Sequence, residues 1–250
     1  MAVTTIPPSG LTDPIVGHNF LNNGDMSIHQ RTGTISVDNA NVITLDRWRV
    51  RDSTGGSVDV SQSTDVPSTA DVGATGSKFA TSLYIDCTGA TGTVGANDFA
   101  YMQQTVEAQY LQNLGWGESG AKSVTLSFWF KSNKTGQCSV QLYGEEEGRH
   151  YNSSYTVSDA NWNYYTVTFP GDTHSDGQID NNNGGGLTVR FNLTTGSNYQ
   201  ATAGSWTAGP KFGTSSDVNQ LDSTSNDLRW TGIKLEVGSL ATPYQFRSFG

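Results

Sequence analysis

The 250-residue sequence predicts an all-β protein: an antiparallel β-sandwich of jelly-roll type with a short extended N-terminal arm. Three observations predict it. Short runs in which apolar and polar residues alternate recur along the chain, and that is the period of a strand with one buried face. Turn-like stretches rich in Asn, Ser, Thr and the 29 glycines separate those runs. Leu, Glu, Lys and Ala never hold a 3.6-residue spacing for long, so no long amphipathic helix is expected. Hydrophobic content is low at 34%, but over this length it suffices for one sandwich core, and a single domain is expected over residues 18–250.

Residues 1–17, marked by Pro7, Pro8 and Pro14, read as an extended arm, either docked on a neighbouring subunit or a disordered tail. Asn19 to Asp25 reads as a short strand entering an Asn23-Gly24 turn. Next, Trp48 and Val50 take the core parity with Arg47 and Arg49 opposite, and Val58-Asp59-Val60 continues the pattern. Ser63 to Gly76 has no periodicity and reads as a loop. Phe79 to Ile85 reads as a strand with Phe79, Leu83 and Ile85 inward. The glycine-rich loop after it, Gly89 to Gly95, lacks the Gly-Lys-Ser/Thr ending of a phosphate cradle. Phe99 to Glu107 is a further strand, and Ala108 to Leu114 a short helical turn.

Ser123 to Ser132 is the stretch around which the rest is organised. Val124, Leu126, Phe128 and Phe130 form a purely apolar face, and Thr125, Ser127, Trp129 and Lys131 form the other. Ser139 to Tyr143 is expected to pair with it through the turn Asn133-Lys134-Thr135-Gly136, which sets Gln141 and Tyr143 beside Trp129. In Trp162 to Phe169, Tyr165, Val167 and Phe169 oppose Trp162 and Tyr164. Leu187 to Leu193 puts Arg190 and Asn192 outward, and Ile233, Leu235 and Val237 alternate near the end. The sum, about nine or ten strands with turns between them, is the pattern of a sandwich or jelly roll.

The formal net charge of −9 argues against nucleic acid as a partner, because that affinity comes largely from clustered Lys and Arg. The N-terminus carries no classical export signal, and no segment approaches the roughly 18 apolar residues that cross a membrane. Synthesis in the cytoplasm without membrane insertion is expected. Cys87 and Cys138 are too few for a disulfide scaffold and read as buried free thiols.

Trp129, Gln141, Tyr143 and Arg190 share the non-core parity, and an aromatic face flanked by hydrogen-bonding groups suits a sugar ring. The same face equally suits a subunit interface. Trp116, Tyr151 and Trp206, in loop-like segments, are secondary candidates. A glycan-processing enzyme is the alternative, and it needs two carboxylates held across the sugar. Glu145-Glu146-Glu147, Asp172, Asp176 and Asp180 supply carboxylates in loops with no pattern that pairs them, so catalysis is not expected. The four histidines, His18, His29, His150 and His174, fit no zinc spacing.

Several motifs together resemble a jelly-roll module of bacteriophage virion proteins, itself similar in fold to carbohydrate-binding modules. They are Gly171-Asp172-Thr173, Asp180-Asn181-Asn182-Asn183-Gly184, Gly186 to Phe191, Gly196 to Gln200, Ala203 to Trp206, the ending Thr231 to Arg247, and the opening Asn19 to Asp25 with Asp46-Arg47-Trp48. The similarity runs from His18 onward. It departs at His29, where members often carry Trp, and many members continue past the position of Gly250. The resemblance implies a virion surface protein (tail fibre, head fibre or capsid decoration) with other virion proteins as partners. Because virion fibres and spikes are commonly three-fold and the arm is proline-marked, a homotrimer is expected, and a host surface glycan is the ligand that the Trp129 face would take for host attachment. The resemblance further implies a structural calcium near Asp25 and Glu236, held by oxygen ligands alone. Asp25, following Asn23-Gly24, reads equally as a turn residue.

Overall fold

A computed structural model describes residues 17–31, 33–74, 78–146 and 148–246. The predicted arm therefore lies outside the described residues apart from Gly17. Among the described residues thirteen strands form two antiparallel sheets stacked as a jelly-roll sandwich. The six-stranded sheet runs β1 (Ile35–Asp38), β4 (Ser57–Ser63), β5 (Ser82–Gly89), β13 (Asp227–Val237), β7 (Val124–Ser132), β10 (Asn163–Phe169). The seven-stranded sheet runs β12 (Trp206–Ala208), β9 (Arg149–Val157), β8 (Gly136–Gly144), β11 (Gly185–Thr195), β6 (Phe99–Glu107), β3 (Arg49–Ser53), β2 (Asn41–Ile43).

The alternation in β7 sends Val124, Leu126, Phe128 and Phe130 into the space between the sheets, where all four are buried. They share one buried cluster with Val140, Leu142, Val189, Phe191 and Met102 of the opposite sheet and with Trp48, just before β3. Phe128 meets Phe191 edge-on at 4.9 Å, and Phe130 meets Trp230 at 4.5 Å. Each such side chain contributes about 1.5–3 kcal/mol of burial, so this layer is the main reason the two sheets stay together. Cys87 and Cys138 lie within it as free thiols, and burial pushes the Cys138 thiol up to about 12.

Four expectations need correction. The hairpin between β7 and β8 does not form: β7 pairs with β10 and β13, and β8 pairs with β9 and β11. The intervening turn crosses from one sheet to the other. At its end Gly136 has φ of +134° against the Val218 side chain, a conformation in which a Cβ would meet Val218 Cγ1 at 2.3 Å. Alternation tells which face of a strand is buried but not which sheet the strand joins, so Trp129 and the Gln141–Tyr143 pair fall on opposite outer faces of the sandwich.

Phe79 lies just before β5 and packs on the outer side with Trp129, while Leu83 and Ile85 turn inward as expected. Tyr151 sits on strand β9 rather than in a loop, and Trp206 begins the short strand β12 opposite it. Their segments concealed the pattern because β9 interleaves Tyr151, Tyr155 and Val157 with mostly polar residues on both faces. Residues 19–25 form no strand. Asn23 (φ 51°) turns the chain so that Gly24 O accepts from Ile233 N at 2.9 Å. There β13 bulges between Thr231 and Lys234, and a Cβ on Gly24 would lie 2.0 Å from Ile233 O.

Candidate functional site

Around Trp129 the outer face of the six-stranded sheet is covered by the chain itself. Trp129 is only 4% exposed, packed with Val72, Phe79, Trp162 and Tyr164. Asp65, just beyond β4, fastens this cover. Its carboxylate takes Lys131 Nζ at 2.7 Å and Trp162 Nε1 at 2.9 Å, and its carbonyl takes Ser82 Oγ at 2.6 Å. Burial raises the Asp65 pKa, but hydrogen bonds from Lys131 and Trp162 and the charges of Lys131 and Arg229 outweigh it, leaving the carboxyl below its ordinary value. Trp129 is thus a packing residue, neither an open sugar platform nor a contact offered to another subunit.

Gln141, Tyr143 and Arg190 come together on the outer face of the seven-stranded sheet. Strand register aligns Arg49, Gln103, Arg190, Gln141 and Asn152 in one row across β3, β6, β11, β8 and β9. Arg190 Nε donates to Gln103 Oε1 at 2.9 Å and Nη1 to Gln141 Oε1 at 3.2 Å, and Gln141 Nε2 donates to Asn152 Oδ1 at 2.9 Å. The guanidinium lies 4.0 Å from the Tyr143 ring centre and 5.3 Å from that of Tyr101.

Much of this row is closed to ligands. The segment 197–217 crosses it: Lys211 O accepts from Gln141, Gly213 O from Asn152 at 3.0 Å and Gly209 O from His150 Nδ1 at 3.0 Å, while Phe212 covers Phe99 and Tyr101. Gln141 and Arg190 are therefore buried organisers of the face rather than ligand contacts.

The other end of the row is open. A groove of about 350 Å³ runs along β3 and β6, lined by Ile43, Arg47, Arg49, Gln103, Thr105, Glu107 and Asn183. An arginine side chain only donates, so the Gln103 atom facing Arg190 is the oxygen, and the Gln103 amide nitrogen is left for the groove. A second hollow of about 580 Å³ adjoins it, lined by His18, Phe20, Asn22, Ile28 and Tyr110. The two share Arg47 and Glu107, whose ion pair at 2.6 Å forms the ridge between them. Burial raises the Glu107 pKa, but the Arg47 hydrogen bond, a backbone hydrogen bond and the Arg47 charge hold the carboxyl below its ordinary value.

Tyr110 is 62% exposed because the 3₁₀ turn Ala108–Leu114 buries Ala108, Leu111 and Leu114 and leaves Tyr110 facing out. Sequence reasoning placed that turn correctly and identified the outward parity of Arg49. It missed Tyr110, Gln103 and Glu107 as a group because the adjacency of β3 and β6 has no local signal.

Trp116, Tyr151 and Trp206 do meet, with ring centres 5.1 Å apart for Trp116–Trp206 and 5.5 Å for Tyr151–Trp206. Trp116 is buried with its indole N–H on Lys122 O, and Trp206 donates to Pro170 O. They close over the Arg149–Asp172 ion pair. Glu146, Asp172 and Asp176 line the same spot, but the space is about 10 Å³, room for at most one water molecule and not for a sugar ring.

Of the two residues of the implied calcium site, Asp25 Oδ1 accepts from Ser27 Oγ at 3.0 Å in an exposed turn, and Glu236 is already engaged. Glu236 Oε2 lies 3.2 Å from Lys234 Nζ, and both Glu236 oxygens accept from Thr242. The same ammonium donates to Thr242 O at 3.3 Å and Pro243 O at 3.2 Å. A cation is already built into that oxygen cluster. Among the described residues no group of three or more His, Cys, Asp or Glu side chains suits a metal ion.

No protein-family model matches the chain. No curated protein matches it. Solved structures of similar architecture include the enzymatically active domain of bacteriophage CBA120 tailspike protein 4, with TM-score 0.46 and 14% identity over 88% of this chain and 21% of that one. This chain therefore spans about a fifth of the tailspike chain. A family 11 carbohydrate-binding module from Clostridium thermocellum, in complex with a β-1,3-1,4-mixed-linked tetrasaccharide, has TM-score 0.40 and 14% identity over 84% of this chain and 98% of that one. A CBM4 structure has TM-score 0.42 and 16% identity over 86% and 98%. Likeness at this level carries no functional argument.

Proposed function

We propose that this chain is a non-catalytic, carbohydrate-binding surface component of a bacteriophage virion, and that its glycan site is the open groove of the seven-stranded sheet. The observation that carries the binding reading is an exposed ring, Tyr110, in the hollow across the Arg47–Glu107 ridge from Gln103, a groove side chain that Arg190 holds in place from behind. A sugar needs both: a ring on which its C–H face stacks, and fixed polar partners for its hydroxyls. The virion setting and the homotrimer rest on the sequence resemblance.

Binding to extracted host surface polysaccharide tests the reading, with Tyr110→Ala and Gln103→Ala as variants. Each is expected to weaken binding about tenfold, of order 1 kcal/mol; Tyr110→Ala should leave the melting temperature unchanged, whereas Gln103→Ala should also lower it because the buried Arg190 Nε loses its acceptor. Unchanged binding by both variants would contradict the site. Release of reducing sugars, lost in Glu146→Gln, would instead establish the enzyme alternative.

A further inference from the structure

Resting on that reading of the groove, we infer that its ligand is an acidic sugar, one whose carboxylate or sulfate is taken by Arg49. The protein as a whole carries a net charge of −9, so a locally positive groove stands against its background. Two arginines and one carboxylate are the charged groups lining this one. Arg47 and Glu107 are bound to each other at 2.6 Å, which leaves Arg49 uncompensated. Arg49 is exposed and makes no ion pair among the described residues. At the rim, Arg31 Nη1 reaches Ile43 O at 3.4 Å, which sets a second positive charge beside the groove.

Register places Gln103 directly across from Arg49, and Arg190 has already claimed the Gln103 oxygen. What faces a ligand there is an amide N–H₂ beside a guanidinium. A neutral sugar hydroxyl can accept from either of these two donors, but without charge assistance. An anionic group accepts from both at once, and such charge-assisted bonds are roughly twice as strong as neutral ones.

An array of matched glycan pairs tests this: uronic and sialic acid oligosaccharides with their carboxyl-reduced forms, and sulfated ones with their desulfated forms. The expected result is retention of acidic members about tenfold more tightly than their neutral partners, weakening as salt is raised. Preference confined to uronic and sialic members would assign the carboxylate, and preference confined to sulfated members the sulfate. Arg49→Gln should bring each pair within about twofold while residual neutral binding stays. Equal retention of acidic and neutral members, or a preference that survives Arg49→Gln, would overturn the acidic class and leave glycan binding standing. An array on which nothing is retained would overturn both.

Discussion

At the scale of single residues, the face of the seven-stranded sheet is controlled by groups that no ligand touches. Arg190 and His150 both lie under the segment 197–217, one orienting Gln103 and the other tying β9 to Gly209. Because Gly209 O only accepts, His150 Nδ1 carries the proton, and Nε2 is buried without a hydrogen-bond partner among the described residues. Burial lowers the His150 pKa, partly opposed by the Gly209 hydrogen bond and reinforced by the charges of Lys211, Arg149 and Arg190. The sign follows from linkage. The unfolded chain protonates this histidine near its ordinary pKa of about 6.5 and the folded chain only at lower pH, so the unfolded state binds more protons between the two values. Stability is expected to fall as pH drops below about 6.5, ahead of the carboxylates, and His150→Gln should remove that part of the slope in chemical denaturation series. An identical slope in the variant would refute the assignment.

At the scale of elements, the six-stranded sheet shows a strand reading that was right about parity and silent about cover. Val124, Leu126, Phe128 and Phe130 face the core, as their alternation requires, and the opposite parity of Trp129 with Trp162 and Tyr164 was equally legible. That Asp65, from a loop without periodicity, and Phe79, expected inward at the start of a strand, seal this parity was not, because the path of the chain before β5 is set by tertiary contacts alone. Trp129→Ala is therefore expected to cost about 3–5 kcal/mol of stability, as removal of a buried Trp does, and to leave glycan affinity unchanged once folded protein is compared. Loss of binding without loss of stability would contradict this placement. In β13, Lys234 and Glu236 are each 1% exposed and paired with one another. Lys234→Met strands the Glu236 carboxylate in the interior and should destabilise by about 3–5 kcal/mol in urea unfolding, whereas a change below about 1 kcal/mol would mean that the ammonium is not what holds Thr242 and Pro243 in place.

At the scale of the whole molecule, the two outer faces differ in kind: on one the aromatic Trp129 patch is sealed by its own cluster and Asp65, the other carries an open polar groove beside an exposed tyrosine. Most strands that bury one clean apolar face were legible in the sequence, including Phe99–Glu107, whose bounds match, and β11 with Arg190 turned outward. The partition of strands between sheets was not legible, since β7 and β8 carry the same apolar–polar alternation yet enter different sheets. That partition separated Trp129 from Gln141, Tyr143 and Arg190 and moved the candidate site to residues from β3, β6 and the turn after β6. The most direct test of the glycan groove is NMR mapping of shift changes as host surface oligosaccharide is titrated in. The account predicts changes concentrated at Arg49, Gln103, Glu107 and Tyr110, with Trp129 and Trp162 silent; changes centred on the Trp129 cluster, or none on β3 and β6, would contradict it.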